Sequence, residues 1–271
     1  MSEIIEKELS YVVTGCLFDV HNEIGPGVRE ECYQKPVELR LAKAGVPFIS
    51  KPRTRRELTF CGQSADVFEP DFIVADRLAL ELKALPDGLP FACVRQTYNY
   101  LKFWKCELGL LVNFADVNAD IQRIVFHETA AVPVEDFEAV RGRMSPEVRA
   151  AMLVVREAAL TVHQEFGLGY SANTYRRLME IALRHRGCEC QANLVAEPSF
   201  DERRLPSSPI SPLQINKSVL VQIEAIQDGV TARAVRTMQT HLGLMAASAG
   251  MIASFGQHQF ELRGVRPRDR E

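Results

Sequence analysis

The chain repeats itself. "VHNEIGPGVREECYQKPVELRLAKAG" (20–45) aligns without a gap with "VHQEFGLGYSANTYRRLMEIALRHRG" (162–187), and nine of 26 positions are identical. Further on, "ELKALPDG" (81–88) aligns with "QIEAIQDG" (222–229). The match continues through Val94-Arg95 with Val235-Arg236, Gly109 with Gly250, and Phe114 with Phe255. The offset changes by a single residue between the two blocks. So long a period means two copies of one whole domain, not a solenoid of short units. The copies are expected at 5–128 and 147–262. The Pro- and acid-rich segment 129–146 between them reads as a linker. A chain of 271 residues has room for two ordinary domains.

Within the first copy, "PDFIVADRLALELK" (70–83) sets charges into runs that otherwise read as buried strands. Phe72-Ile73-Val74 and Leu78–Leu82 flank a polar break at Ala75-Asp76-Arg77, the pattern of a β-hairpin. Alternation along the second strand puts Leu80 and Leu82 on one face and Ala79, Glu81 and Lys83 on the other. An antiparallel pair turning at 75–77 places Asp71 opposite Glu81. Like charges so close raise a carboxylate pKa unless a cation lies between them. A hard divalent ion such as Mg²⁺, which takes oxygen ligands, is one remedy. Lys83 beside it could orient a water or steady charge on a phosphate. The same spacing also fits a structural ion pair on a solvated sheet face, since charge pairs across strands are common.

The second copy bears on that choice. Asp71 becomes Pro212, Glu81 becomes Gln222, Lys83 becomes Glu224, Glu30 becomes Ala172 and Gln96 becomes Thr237. Frame positions survive as His163, Gly167, Gly169, Tyr175, Asp228 and Gly229. Charges that served the fold should tend to persist in a second copy of that fold. Here the glycines persist and the charges do not, which weighs against the ion-pair reading.

The remaining elements follow from periodicity. Residues 5–24 read as an amphipathic helix, with Leu9, Val12, Val13, Cys16, Leu17 and Val20 inward. Gly25-Pro26-Gly27 separates it from a helix over 28–44, with Cys32, Tyr33, Val37, Leu41 and Ala44 inward and Pro36 expected to kink it. Strands are expected near 46–50, 57–61, 66–74 and 78–83, then a helix over 91–105 and strands at 108–114 and 121–127. The fold class is α/β, a mixed sheet flanked by helices, in two tandem copies.

Seven cysteines without paired CxxC spacing argue against structural zinc and a disulfide framework. With no apolar run near ~18 residues and no signal-peptide pattern at the start, a reduced cytoplasm and no membrane partner are expected. The net charge of −3 conceals an asymmetry. Residues 1–142 hold 16 Lys and Arg against 22 Asp and Glu; residues 143–271 hold 16 against 13, and 15 of those 16 are Arg.

Three pieces together resemble a known family. Gly27, Glu30 and Tyr33 have GxxExxY spacing. Pro70-Asp71 with Glu81 and Lys83 has the PD…(D/E)xK pattern. "QTYNYLK" followed by "LGLLVNF" completes the order. The chain resembles the GxxExxY family of the PD-(D/E)XK nuclease superfamily over 9–127 and, degenerately, over 151–260. The resemblance implies a restriction-endonuclease-like core that hydrolyses phosphodiester bonds with Mg²⁺ or Mn²⁺. Carried over by position, it makes Asp71, Glu81 and Glu30 metal ligands and Lys83 the catalytic lysine. Gln96 and Tyr100 match a QxxxY spacing that supports the site or the substrate. Tyr33, kept as Tyr175, reads as structural, as do the repeated His21 and His163.

Nucleic acid is the partner this implies, DNA before RNA, with Arg53, Arg55, Arg56 and Arg95 as candidate phosphate contacts. The second copy is expected to be inactive, holding substrate or pairing with the first, and a homodimer is the other pairing considered. The alternative function is a non-catalytic nucleic-acid-binding or scaffold module. An enzyme acting on a phosphorylated small molecule is a third.

Overall fold

The computed structural model describes residues 4–54, 56–142, 144–201, 203–226 and 228–268. It divides into two compact units. One comprises residues 1–58 and 66–127, the other 59–65 and 128–271.

The first unit opens with helices α1 (Lys7–Ile24) and α2 (Glu31–Lys43). Strands β1 (Phe48–Ser50), β2 (Glu57–Phe60), β3 (Gln63–Val67), β4 (Phe72–Val74) and β5 (Leu78–Lys83) follow along the chain, and the parts of β2 and β3 within 59–65 fall in the second unit. Helix α3 (Phe91–Trp104) crosses to β6 (Leu108–Asn113), and β7 (Asp120–Val125) ends the copy. The main sheet has the order β1-β4-β5-β6-β7, and β2 pairs with β3 in a separate ribbon. Within the sheet β5 and β6 run parallel and the other pairs antiparallel. Leu78, Leu80 and Leu82 face Val13, Leu17, Tyr33, Val37 and Leu41 of α1 and α2 in one core. On the other face α3 lies against β6, where a Cβ on Gly109 would meet Thr97 and Leu101. Both faces are therefore covered, which is why β5 and β6 read as near-continuous apolar runs.

The hairpin forms in the expected register. Phe72 pairs with Leu80, Ile73 with Ala79 and Val74 with Leu78, and the turn closes through Arg77 N–H to Val74 O at 3.1 Å. The loop holds three residues, 75–77, and its first two, Ala75 and Asp76, take positive φ, 52° and 56°, the sense that matches the twist of the flanking strands.

The second unit takes in the segment read as a linker. β8 (Val134–Asp136) is an edge strand, followed by a 3₁₀ turn at Glu138–Val140. Helices α4 (Pro146–Phe166) and α5 (Ala172–His185) come next. Five short strands follow: β9 (Cys190–Gln191), β10 (Leu194–Ala196), β11 (Ser199–Phe200), β12 (Arg203–Arg204) and β13 (Ser208–Ile210). Then come β14 (Leu213–Ile215), β15 (Val219–Ile226), α6 (Ala232–Leu244), β16 (Ala249–Gly256) and β17 (Phe260–Val265). The sheet order is β8-β17-β16-β15-β14-β9, with β15 and β16 parallel. Without β8 this repeats the first sheet strand for strand. Asn216 and Lys217 take positive φ in the β14–β15 turn, as Ala75 and Asp76 do in the first copy. Tyr33 Oη donates to Gly25 O at 2.7 Å and stacks on Phe114. Tyr175 Oη donates to Gly167 O at 2.6 Å and stacks on Phe255. The mixed α/β architecture expected from sequence, sheets flanked by helices in tandem copies, is the one observed.

Several local expectations are corrected. Val12 on α1 and Cys32 and Ala44 around α2 face outward. The 66–74 strand is two strands, with Pro70, which has no N–H to give to a ladder, in the gap between them. Pro36 sits inside a continuous α2 that starts at Glu31, leaving Glu30 at its N-cap.

Candidate active site

The site is built at the open end of the β4–β5 hairpin. Asp71 lies one residue before the first ladder pair, and its side chain caps the neighbouring strand: Leu82 N–H donates to Asp71 Oδ2 at 2.8 Å. Glu81 Oε2 accepts from Asp71 N–H at 3.4 Å. The two carboxylates are both buried, 9% and 4% exposed. Lys83, on the same face of β5 as Glu81, places Nζ 2.7 Å from Glu81 Oε1 and 3.7 Å from Glu30 Oε1. Lys51 Nζ stands 4.0 Å from Asp71 Oδ1. Asp71, Glu81, Lys83 and Glu30 are thus brought together as a chain of alternating charge.

The electrostatics follow from burial. Burial pushes Glu81 up to about 7, with Asp71 adding to the rise and Lys83 opposing it. Asp71 is raised by burial, against the Leu82 hydrogen bond and the Lys83 and Lys51 charges. Burial also raises Glu30, and Lys83 pulls it back. For Lys83 burial favours the neutral amine, but the carboxylates of Glu81, Glu30 and Asp71 outweigh it and hold the ammonium more firmly than usual. In this arrangement Lys83 is a hydrogen-bond donor, not a base.

Helix α3 supplies the next layer. Gln96 Nε2 donates to Tyr100 Oη at 2.6 Å, and burial together with the Glu81 charge raises the Tyr100 phenol. The Cys93 thiol on the same helix is close enough to feel Lys83, Glu81 and Glu30. Three supporting residues were not picked out from sequence. Gln34 donates to Ser50 Oγ at 3.0 Å and to Asp71 O at 3.3 Å, tying α2 to the start of β4. Asn113 clamps the loop after β5 by giving to Leu85 O and accepting from Leu85 N–H, both at 2.9 Å. The third is Lys51, whose ammonium stands by Asp71. The signal was there for two of them: Gln34 aligns with Arg176 and Asn113 with Ser254, so both change with the charged set.

The basic candidates divide. Arg53 and Arg95 are exposed, Arg56 is paired with Glu69, and Arg55 lies outside the described residues. In the second unit Arg184 pairs with Glu180 at 2.6 Å, and Arg186 donates to Ala182 O and Thr161 Oγ1. These arginines serve their own fold.

The donor chemistry suits a hard divalent ion, which is commonly held by one or two carboxylates plus waters and substrate phosphate. Asp71 and Glu81 make such a pair. Glu30 does not close a three-carboxylate set with them, because the Lys83 ammonium lies between Glu30 and Glu81. Among the described residues no group of three His, Cys, Asp or Glu is arranged as a metal cluster.

A model of the PD-(D/E)XK nuclease superfamily matches residues 7–124 and again 150–266. The chain belongs to the PD-(D/E)XK nuclease superfamily. Membership implies a nuclease acting on nucleic acid, and enzymes of this superfamily generally use divalent metals such as Mg²⁺. Both copies match, so the superfamily frame extends through the half that lacks the charged set. A comparison with curated proteins finds no match. No helix among the described residues is long and apolar enough to cross a membrane.

Proposed function

We propose that this protein is a metal-dependent nuclease of the GxxExxY type, active in its first copy. The observation that carries the reading is the asymmetry of the duplication. Asp71, Glu81, Lys83 and Glu30 gather at one strand end, while Pro212, Gln222, Glu224 and Ala172 stand at the same positions of a frame that is otherwise kept.

Asp71 and Glu81 would hold Mg²⁺ or Mn²⁺. When bound, the metal supplies positive charge to the scissile phosphate and acidifies a water. The rest falls to the chain. Lys83, kept as an ammonium by its carboxylate neighbours, is placed to donate to a phosphate oxygen as charge builds there. Glu30 flanks Lys83 on the side nearer solvent and limits its swing. Gln96 and Tyr100 support the wall behind Glu81. The second copy would hold substrate or pair with another copy, and DNA is the first substrate to screen.

The test is calorimetric titration with Mn²⁺ and Mg²⁺ of wild type and Asp71→Ala, followed by a nuclease screen. Saturable binding lost in the variant, with cleavage lost in both Asp71→Ala and Lys83→Ala, is the expected result. One observation favours a second reading. Lys83 already bridges Glu81 and Glu30, so the set could be a self-satisfied ion pair in a binding or scaffold module. Binding indifferent to Asp71, with no cleavage, would favour that reading.

A further inference from the structure

Seven residues separate the end of β5 at Lys83 from the start of helix α3, and this loop is pinned by the Asn113 clamp on Leu85. Its first turn is therefore tethered near the end of β5 that carries Lys83, and α3 packs against both β5 and β6. Phe91 opens this turn. It is 61% exposed, so it does little packing, and the Arg95 guanidinium lies over its ring at 5.7 Å from the centroid. An exposed aromatic ring with a cation over it, next to a phosphodiester site, needs a ligand that offers both a flat apolar face and negative charge. An unpaired nucleotide offers both.

The duplication offers a comparison. Phe91 aligns with Ala232, while Arg95 aligns with Arg236 and Val94 with Val235. The exposed ring is missing from the copy that lacks the charged set, although the helix around it is kept.

We infer that Phe91 and Arg95 form a stacking platform for an unpaired base, which makes single-stranded or frayed nucleic acid the preferred substrate of the site. This rests on the nuclease reading above and names its substrate class. A base stacked on Phe91 leaves its phosphate for the Arg95 guanidinium and draws the backbone toward Lys83. A base held within a duplex has its faces covered by its neighbours and is not available to the ring.

The experiment compares wild type, Phe91→Ala and Phe91→Trp. Anisotropy of fluorescent 20-mers, single-stranded DNA, single-stranded RNA and blunt duplex DNA, is read at one fixed salt concentration with EDTA. Cleavage of the same oligomers is read with Mg²⁺ and Mn²⁺. Stacking is worth ~1–3 kcal/mol per base, so Phe91→Ala is expected to weaken single-strand binding about tenfold and leave duplex binding within about twofold. Phe91→Trp restores it. The DNA and RNA arms show which strand the platform takes. Wild type that cleaves, with Phe91→Ala unchanged on single strands or equally impaired on duplex, removes this inference and leaves the nuclease reading standing. Wild type that neither binds nor cleaves any form removes both.

Discussion

Glu81 is 4% exposed, lies beside a second buried acid, and is pushed up to about 7 by burial and by Asp71. An unfolded chain ionises this group near its ordinary value of 4.5. Between those two values the folded state therefore holds a proton that the unfolded state has released. Stability then falls as pH rises through that window and levels off above about 7. Asp71, also raised, contributes with the same sign, whereas the raised Lys83 titrates far above the window. The cost is bounded at ~3 kcal/mol for such a displacement. Thermal melts from pH 5 to 8 should show wild type losing stability and Glu81→Gln nearly flat. Mg²⁺ should raise the wild-type melting temperature more at pH 8 than at pH 5.5, since it binds the ionised pair. A flat wild-type profile, or a Mg²⁺ effect independent of pH, counts against the assignment. At this scale the pairing of Asp71 with Glu81 was legible because strand register follows from the position of the turn at 75–77. Gln34 and Asn113 left only the indirect trace of differing between the copies, because each acts on a main-chain group far along the sequence, which no local pattern announces.

Gly109 and Gly250 mark where a helix crosses a strand in each copy, and they respond differently to the same change. A Cβ on Gly109 would lie 2.6 Å from Thr97 Cγ2, and Thr97 is fully buried with a β-branched side chain hydrogen-bonded to Cys93 O. A Cβ on Gly250 would lie 2.9 Å from Met238 Sδ, the far part of a flexible chain. Gly109→Ala is thus expected to lower stability by ~1–3 kcal/mol, the usual cost of overpacking, and Gly250→Ala by clearly less. Denaturant unfolding of the two variants checks the order, and equal losses would refute the packing argument. Gly109→Ala should also lower cleavage, because α3 carries Gln96 and Tyr100. The repeat of these glycines could be read in the sequence, but the partner across each could not. Element boundaries slipped where chemistry overrode pattern. Pro70 divides an apolar stretch into two strands, and α2 runs through Pro36 unbroken. The edge strand Val134–Asp136 is too short and too acidic to show any alternation.

Across the whole molecule the duplication acts as a built-in control, and it makes a quantitative demand. Both copies keep the parallel strand pair, the positive-φ hairpin turn and the tyrosine bonded to a glycine carbonyl. What differs is the ligand chemistry. Pro212 offers no side-chain oxygen where Asp71 stands. Gln222, which accepts from Ser211 Oγ at 3.0 Å, is neutral where Glu81 is acidic. Glu224, a half-buried carboxylate raised by burial, stands where the first copy has Lys83. A hard cation needs oxygen donors that are close and charged, and one carboxylate beside a neutral amide competes poorly with water for it. Titration with Mn²⁺ should therefore give a single saturable site per chain, lost on Asp71→Ala and untouched by Glu224→Gln. Cleavage should follow the same pattern. Two sites per chain, or one that survives Asp71→Ala and disappears with Glu224→Gln, would place the metal in the second copy and reverse the assignment of the active half.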